Sequence, residues 1–380
     1  MIVRLGDYIQ EYSVRNRDDE EIPVYSVTNK QGFCKDYFGK EVASKDKTTY
    51  KIVPRGCFAY NPSRINVGSV DWQRNEKKVI VSPLYNVFSV SSEVNRQFLY
   101  YYLKSDKTVH YIKNIARGSV RDNLKLDMLY EFKIDLPDKK EQERAATILD
   151  KVCELIGQHN QQLYMLDELV KSRFVEMFGD TKINNKRWKT TKLLNILEKG
   201  SSVSYGIVQT GDDIEGGVPV FRPIDIAGGH IPKISELKRT DKEISDKYKR
   251  TLLKGYELLI TVRGSVGETF QTNVEFAGCN VGRNIVPLRF DTDKVLYKYM
   301  ENYFSQSGTK DILASMTKGI ALQGLNMSEF REIAIIIPPI ELQKEFVRFA
   351  ETIDKSKSAI QKSLDELEIL KKSLMQKYFG

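Results

Sequence analysis

Two stretches of the chain carry a helical rhythm that the rest lacks. In the first, Leu149, Val152, Ile156, His159, Leu163, Leu166, Val170, Arg173 and Met177 recur at alternating steps of three and four, a coiled-coil seam interrupted at His159 and Arg173. In the second, Ile353, Ile360, Leu364, Leu367, Leu374 and Tyr378 follow the same stripe, broken at Lys357 and Lys371. Pro137 and the Pro338-Pro339 pair set the helix entrances, and Gly179 and Gly380 suit the exits. The spacing predicts two helices of about 38 residues, each a rod of roughly 55 Å. A rod that long cannot be buried inside one neighbour, so its stripe needs a partner, and the other rod is the nearest. Antiparallel pairing would bring Val152, Ile156, Leu163, Leu166 and Val170 against Ile353, Ile360, Leu364, Leu367 and Leu374. It would put one globular unit at each end and return Gly380 toward Met1.

The segments before each rod read differently. IPVYSV, VIVSPLYNVFSV, VPVFRPI, YELLITV and REIAIIIP have the β-branched and aromatic enrichment of strands, while NRQFLYYYLKS and LYKYMENYFSQ look like short amphipathic helices. A mixed α/β unit is expected, twice, because the chain repeats itself. Shifted by 201 positions, LVKSRFVEMFG falls on LKKSLMQKYFG. Pro137 then meets Pro338, Gln142 meets Gln343, and Gly118, Leu124 and Glu131 meet Gly319, Leu325 and Glu332. Earlier the offset drifts to 199, where Gly56, Arg64 and Gly68 meet Gly255, Arg263 and Gly267. The expected fold is therefore α/β (α+β): two similar mixed units separated by an antiparallel coiled coil of two long helices, a pseudo-twofold internal repeat. Its expected boundaries are residues 1–137, 138–179, 180–338 and 339–380.

Composition narrows the function. The 380 residues are 41% hydrophobic and 10% aromatic, enough for two ordinary cores. No run approaches a membrane span, and the start, MIVRLGDYIQEYS, lacks the pattern of a secretion signal, so the expected location is cytoplasmic. The cysteines Cys34, Cys57, Cys153 and Cys279 are far apart, and the histidines are only three. Neither a disulfide framework nor a metal site is suggested.

Charge points to an anionic partner. The formal net charge is +8 and the pI about 9.0. Residues 138–179 hold 6 basic against 8 acidic side chains and residues 339–380 hold 8 against 7, so the rods are nearly neutral. The excess lies in residues 1–137, with 22 against 17, and 180–338, with 23 against 19, as expected if the globular units touch phosphates and the rods touch protein. Within those units, cations and amides gather in loops rich in glycine and serine. The candidates are Arg64 and Asn66, then Arg74, Lys77 and Lys78, then Arg117, Ser119, Arg121 and Asn123 in the first unit. In the second they are Arg222, Arg263, Ser265, Arg283, Asn284, Lys318 and Gln323. Arginine pairs bidentately with guanine, asparagine or glutamine with adenine, and glycine lets a loop approach the groove.

Signs of catalysis are weak. No G-x-x-x-x-G-K-[ST] loop occurs. NPS at 61–63 has the first two residues of the Asn-Pro-Pro-aromatic motif of adenine methyltransferases but not its last two, and reads better as a turn. The acidic GDDIEGG at 211–217 reads as a surface loop rather than a Mg²⁺ site.

Order, duplication and spacing together resemble the specificity subunits of type I restriction-modification enzymes, over the whole chain. IPPIELQKE at 337–345 is similar to the opening of that family's conserved helix, and LPDKKEQER is a weaker first copy, with Asp138 where the second proline would be. LDELVKSRFVEMFGD at 166–180 is close to the end of the family's central helix. GYELLITVRGSVG at 255–267, with RGCFAYNPSRINVG at 55–68 as its counterpart, resembles a strand and loop of its recognition domains. The resemblance implies two target recognition domains, each reading half of a split double-stranded DNA sequence, with the helices as spacer. It implies that the helices recruit two modification (methyltransferase) subunits, which hold S-adenosylmethionine and methylate adenine. It leaves open restriction subunits that use ATP and Mg²⁺. None of that chemistry is expected in this chain, which should be a non-catalytic, cofactor-free member of a restriction system. A coiled-coil scaffold that binds only proteins, and an autonomous DNA enzyme, are the rival readings.

Overall fold

The computed structural model describes residues 1–35, 46–116, 123–226, 232–318 and 324–380. It divides into two compact units: Met1–Asn160 with Lys362–Gly380, and Gln161–Gln361.

In the first unit a four-stranded antiparallel sheet runs in the order Ile9–Glu11, Asn86–Val90, Phe58–Tyr60, Val70–Trp72. The hairpin Ser26–Thr28 with Gly32–Cys34 and the pair Lys51–Pro54 with Lys78–Val81 extend the β layer. The run VIVSPLYNVFSV is thus two strands, split by a turn in which the Tyr85 N–H donates to the Ser82 carbonyl. Helix Arg96–Lys104 starts where the Asn95 side chain accepts the Phe98 N–H, and it turns Phe98, Leu99, Tyr101, Tyr102 and Leu103 inward. These pack with Phe58, Tyr60, Phe88 and Leu149 into one core.

The second unit repeats this order. Its sheet is Thr269–Gln271, Leu258–Thr261, Ile285–Leu288, joined by a second sheet of Lys238–Thr240, Val218–Phe221 and Asn280–Val281 whose last pairing is parallel. Helix Tyr297–Ser305 corresponds to Arg96–Lys104, Met327–Arg331 to Leu126–Tyr130, and strand Ala334–Ile336 to Lys133–Asp135, each at the offset of 201. The aligned glycines also share a backbone: Gly68 and Gly267 sit at φ +87° and +89°, a left-handed turn that any side chain would strain.

The long segments are helices Lys139–Phe178 and Ile340–Phe379, 40 residues each, or about 60 Å of rise. In both units they pair antiparallel, and three of the polar breaks in the stripe, His159, Arg173 and Lys357, bond across the pair. In the first unit His159 Nε2 lies 3.1 Å from Ser363 Oγ. In the second, Lys357 bonds Asp167, and Arg173 meets Glu345 at 3.0 Å. Val152, Ile156, Val170 and Leu364 are buried; Leu163, Leu166, Ile353, Ile360, Leu367 and Leu374 are half-buried. Each unit takes in the start of the helix that follows it and the end of the other. Phe379 enters the first core 5.0 Å from Phe98, and Phe178 enters the second 5.0 Å from Tyr299. Burying a phenylalanine is worth about 1.5–3 kcal/mol, which accounts for the aromatic residue recurring before each closing glycine.

Candidate nucleic-acid interface

The loop that carries Arg64 leaves strand Phe58–Tyr60 and returns into Val70–Trp72. Its shape is held by the Arg64 backbone: the N–H donates to Asn61 O at 3.0 Å, and the carbonyl accepts the Val67 and Ser69 N–H groups, each at 3.1 Å. The side chain is exposed and bonds no described residue. Asn123 comes to the same place, because Leu124 N–H donates to Pro62 O at 3.1 Å, Tyr60 OH to Leu124 O at 3.1 Å, and Ser63 Oγ to the Asn123 amide oxygen. Arg64, Asn66 and Asn123 are therefore one cluster. Beside it lies a cleft of about 350 Å³ lined also by Asn29, Lys30 and Gln31 from a hairpin tip that sequence reasoning passed over. A Thr-Asn-Lys-Gln-Gly turn, rich in groups that bond base edges, was the available signal.

The second unit builds its cluster from three segments. Val262 N–H donates to Asn284 O at 2.8 Å, and Leu325 N–H to Val262 O at 2.9 Å. These bonds gather Arg263, Ser265, Arg283 and Asn284 around the backbone of the paired strands Thr317–Lys318 and Gly324–Leu325. Arg263, Ser265 and Arg283 are exposed; the Arg283 N–H donates to Ile207 O at 2.8 Å, but neither arginine side chain bonds a described residue. The Asn284 amide oxygen is enclosed without a hydrogen-bond partner among the described residues.

Other candidates are committed elsewhere. Arg74 meets Asp71 at 3.0 Å, donates to Gln97 Oε1 at 3.1 Å and stacks 4.6 Å from the Trp72 ring. Arg222 is folded back on Asp225, which accepts from its N–H, Nε and Nη2 at 2.7, 3.1 and 2.8 Å. Lys78 pairs with Glu20, and Lys77 is exposed. Arg117, Ser119, Arg121 and Gln323 lie outside the described residues, as does the Lys318 side chain.

Two further cationic clefts were missed. One, of about 490 Å³ in the first unit, is lined by Lys30, Arg74, Lys104 and Lys371 with Asp150. Burial pulls the Lys104 ammonium below its usual range there, while it donates to Asn29 O at 2.9 Å and lies 4.9 Å from the Tyr100 ring centre. The other, about 410 Å³ in the second unit, is lined by Lys199, Lys249, Arg250, Lys254 and Arg289. Arg289 is anchored by Glu257, whose fully buried carboxylate accepts from Arg289 Nε at 2.8 Å and from the Lys254, Gly255 and Tyr256 N–H groups. Burial pushes the Glu257 pKa up, but the backbone donors and the guanidinium outweigh it and hold the carboxyl below its usual range. Among the described residues no group of three His, Cys, Asp or Glu side chains could hold a metal ion.

Exposed arginines on glycine-turned loops, present in each unit, are the kind of groups that meet phosphates and base edges in a nucleic-acid reader. Comparison gives the family. The profile described as the Type I restriction modification DNA specificity domain matches residues 6–165 and again 181–369. The chain belongs to this family, whose members recognise a DNA sequence and do not catalyse. It is 26% identical over 196 residues to the specificity subunit of the type I restriction enzyme EcoBI of Escherichia coli, half of this chain and 41% of that one. It is 25% identical over 345 residues to the MjaIX specificity subunit of Methanocaldococcus jannaschii, 86% of this chain and 77% of that one. Among solved structures, the type I S subunit from M. genitalium shares the fold at a TM-score of 0.56 and 14% identity, over 100% of this chain and 96% of that one. A chain solved for complex assembly and conformational transition of the type I R-M system matches at 0.56 and 17%, over 100% and 97%.

Proposed function

We propose that this chain reads an asymmetric, bipartite duplex DNA target, with recognition domains at residues 1–137 and 180–338, and recruits two methyltransferase subunits through helical segments 138–179 and 339–380. The observation that carries the reading is the pair Arg64 and Arg263. They stand at matching positions of the duplicated lobes, exposed, on loops closed by glycines of nearly the same φ, with side chains that bond no described residue. Phosphate contacts supply most of the affinity, and a few bonds to base edges supply the choice of sequence. The surrounding side chains differ between lobes, Asn66 and Asn123 in one and Ser265, Arg283 and Asn284 in the other, which favours unlike half-sites. The long helices set the number of unread base pairs between them. S-adenosylmethionine belongs to the methyltransferase partner, and any restriction subunit brings the use of ATP and Mg²⁺. The place of action is the cytoplasm; among the described residues no helix is long and apolar enough to cross a membrane.

The test is co-expression with the cognate methyltransferase and single-molecule methylome sequencing. One split, non-palindromic motif is expected, with DNA retention by the complex that weakens steeply as salt rises. A continuous or palindromic motif, or retention indifferent to salt, contradicts the reading.

A further inference from the structure

Gln142 and Gln343, superposed by the offset of 201, belong to no reading loop, yet their side chains are sealed from solvent at 1% and 0% exposure. Each lies in the first turn of a long helix. Gln142 Oε1 accepts the Asn95 N–H at 2.7 Å, and its Nε2 donates to the carbonyls of Pro137 at 2.9 Å and Glu93 at 3.2 Å. Gln343 Oε1 accepts the Leu296 N–H at 3.0 Å, and its Nε2 donates to Pro338 O at 2.9 Å and Lys294 O at 3.1 Å. Every partner is displaced by the same 201 positions. The amide thus ties together the proline that opens the long helix, the helix itself, and the residue that caps helix Arg96–Lys104 or Tyr297–Ser305.

The chemistry needs glutamine. One N–H requires an acceptor and two carbonyls require donors, and only a side-chain amide offers an acceptor together with two donors on one group. Glutamate would set its carboxylate against the two carbonyls, and methionine would leave all three groups unpaired. The other polar fastenings of helix to lobe are not shared. In the first unit Asp150 accepts from Tyr101 OH at 2.7 Å and Gln97 Nε2 at 2.6 Å; in the second, Lys298 meets Asp354 at 2.7 Å. The lobes diverge around a clamp that stays the same.

We infer that Gln142 and Gln343 are positioning residues: they fix the angle at which each long helix leaves its lobe, and so the half-site separation at which the assembled methylase acts. This rests on the bipartite reading above. A clamp that served only to hold the fold together would depress methylation equally at every separation. One that sets an angle would, when loosened, blur the choice of separation.

The experiment uses the full chain assembled with its methyltransferase, as wild type, Gln142→Met and Gln343→Met, the last two preserving side-chain volume. The probes are duplexes carrying the motif the wild-type complex methylates, with the half-sites at their native separation and one base pair nearer or farther. In each variant the rate on the altered duplexes relative to the native one should rise at least about tenfold, since three hydrogen bonds are lost and one alone is worth up to about that factor. A uniform fall at all separations, or no change, overturns the inference. Should either variant fail to fold, hydrogen exchange in the wild-type complex decides. The Asn95 and Leu296 N–H groups should exchange as slowly as helix interiors, and loop-like exchange at both overturns it. A wild-type complex indifferent to separation overturns the bipartite reading itself, and the inference with it.

Discussion

Glu257→Gln should separate what a buried charge contributes from what its shape contributes. Glu257 is wholly buried and accepts from Arg289 Nε, from three successive N–H groups between 2.7 and 3.1 Å, and from Thr272 Oγ1 at 3.2 Å. It therefore holds the turn that launches strand Leu258–Thr261 toward the Arg263 loop. Glutamine keeps the outline but removes the charge facing Arg289 and points an NH₂ at donors. Breaking a buried pair on one side costs about 3–5 kcal/mol. In a unit of roughly 200 residues each kcal/mol shifts Tm by about 2–4 °C, so a drop on the order of 6–20 °C is expected by calorimetry at pH 7. The pH dependence follows from sign. The folded carboxyl titrates below its ordinary value of 4.5, so its stabilisation is complete above about pH 5 and is lost as pH falls through the folded value. The gap between wild type and variant should narrow below pH 4.5. A Tm change under about 1 °C at pH 7, or a gap that widens in acid, refutes the reasoning.

Arg64→Ala and Arg263→Ala should each change Tm little, because neither side chain has a described partner, while relaxing one half of the methylated motif by about 1–3 kcal/mol; a methylome with both halves intact would count against them. Arg222→Ala should do the reverse, lowering Tm slightly through loss of its two guanidinium bonds to Asp225 and leaving base preference unchanged by the same two assays. Gly267→Ala places a Cβ 3.1 Å from Leu313 Cδ1 at φ +89° and should cost about 1–2 kcal/mol in chemical denaturation. Inserting four residues beside Gly179 adds about one helical turn, roughly 6 Å, and should alter the count of unread base pairs in the methylome.

The long helices were legible because a 3.5-residue period sustained over 40 residues needs no tertiary information, and because the polar breaks at His159, Arg173 and Lys357 preserve the phase. The lobes were less so. Their strands are two to five residues long, too short to show a period, and Leu258–Thr261 and Ile285–Leu288 are buried throughout, so no alternation of polar positions marks them. IPVYSV enters a strand only at Ser26 and Val27. The sequence pattern also hides Glu257 and Arg289, since a charged pair 32 residues apart reads as surface until the fold closes it.

For the loops proposed to read DNA the missing signal was nearer than it looked. Arg74 and Arg222 resembled Arg64, Arg263 and Arg283 as cations in loops, yet the first two have an aspartate three residues away, Asp71 and Asp225, and the structure folds each onto it. No acid lies within three residues of Arg64, Arg263 or Arg283. An arginine in a short loop takes the closest carboxylate, because bringing a distant one requires ordering more chain, whereas i to i+3 contact needs almost none. Where no local acid exists and glycine keeps the loop tight, the guanidinium is left facing solvent with its full set of donors. That rule separates these five residues from sequence alone: Arg74 and Arg222 fold onto a local aspartate, and Arg64, Arg263 and Arg283 stay exposed without one.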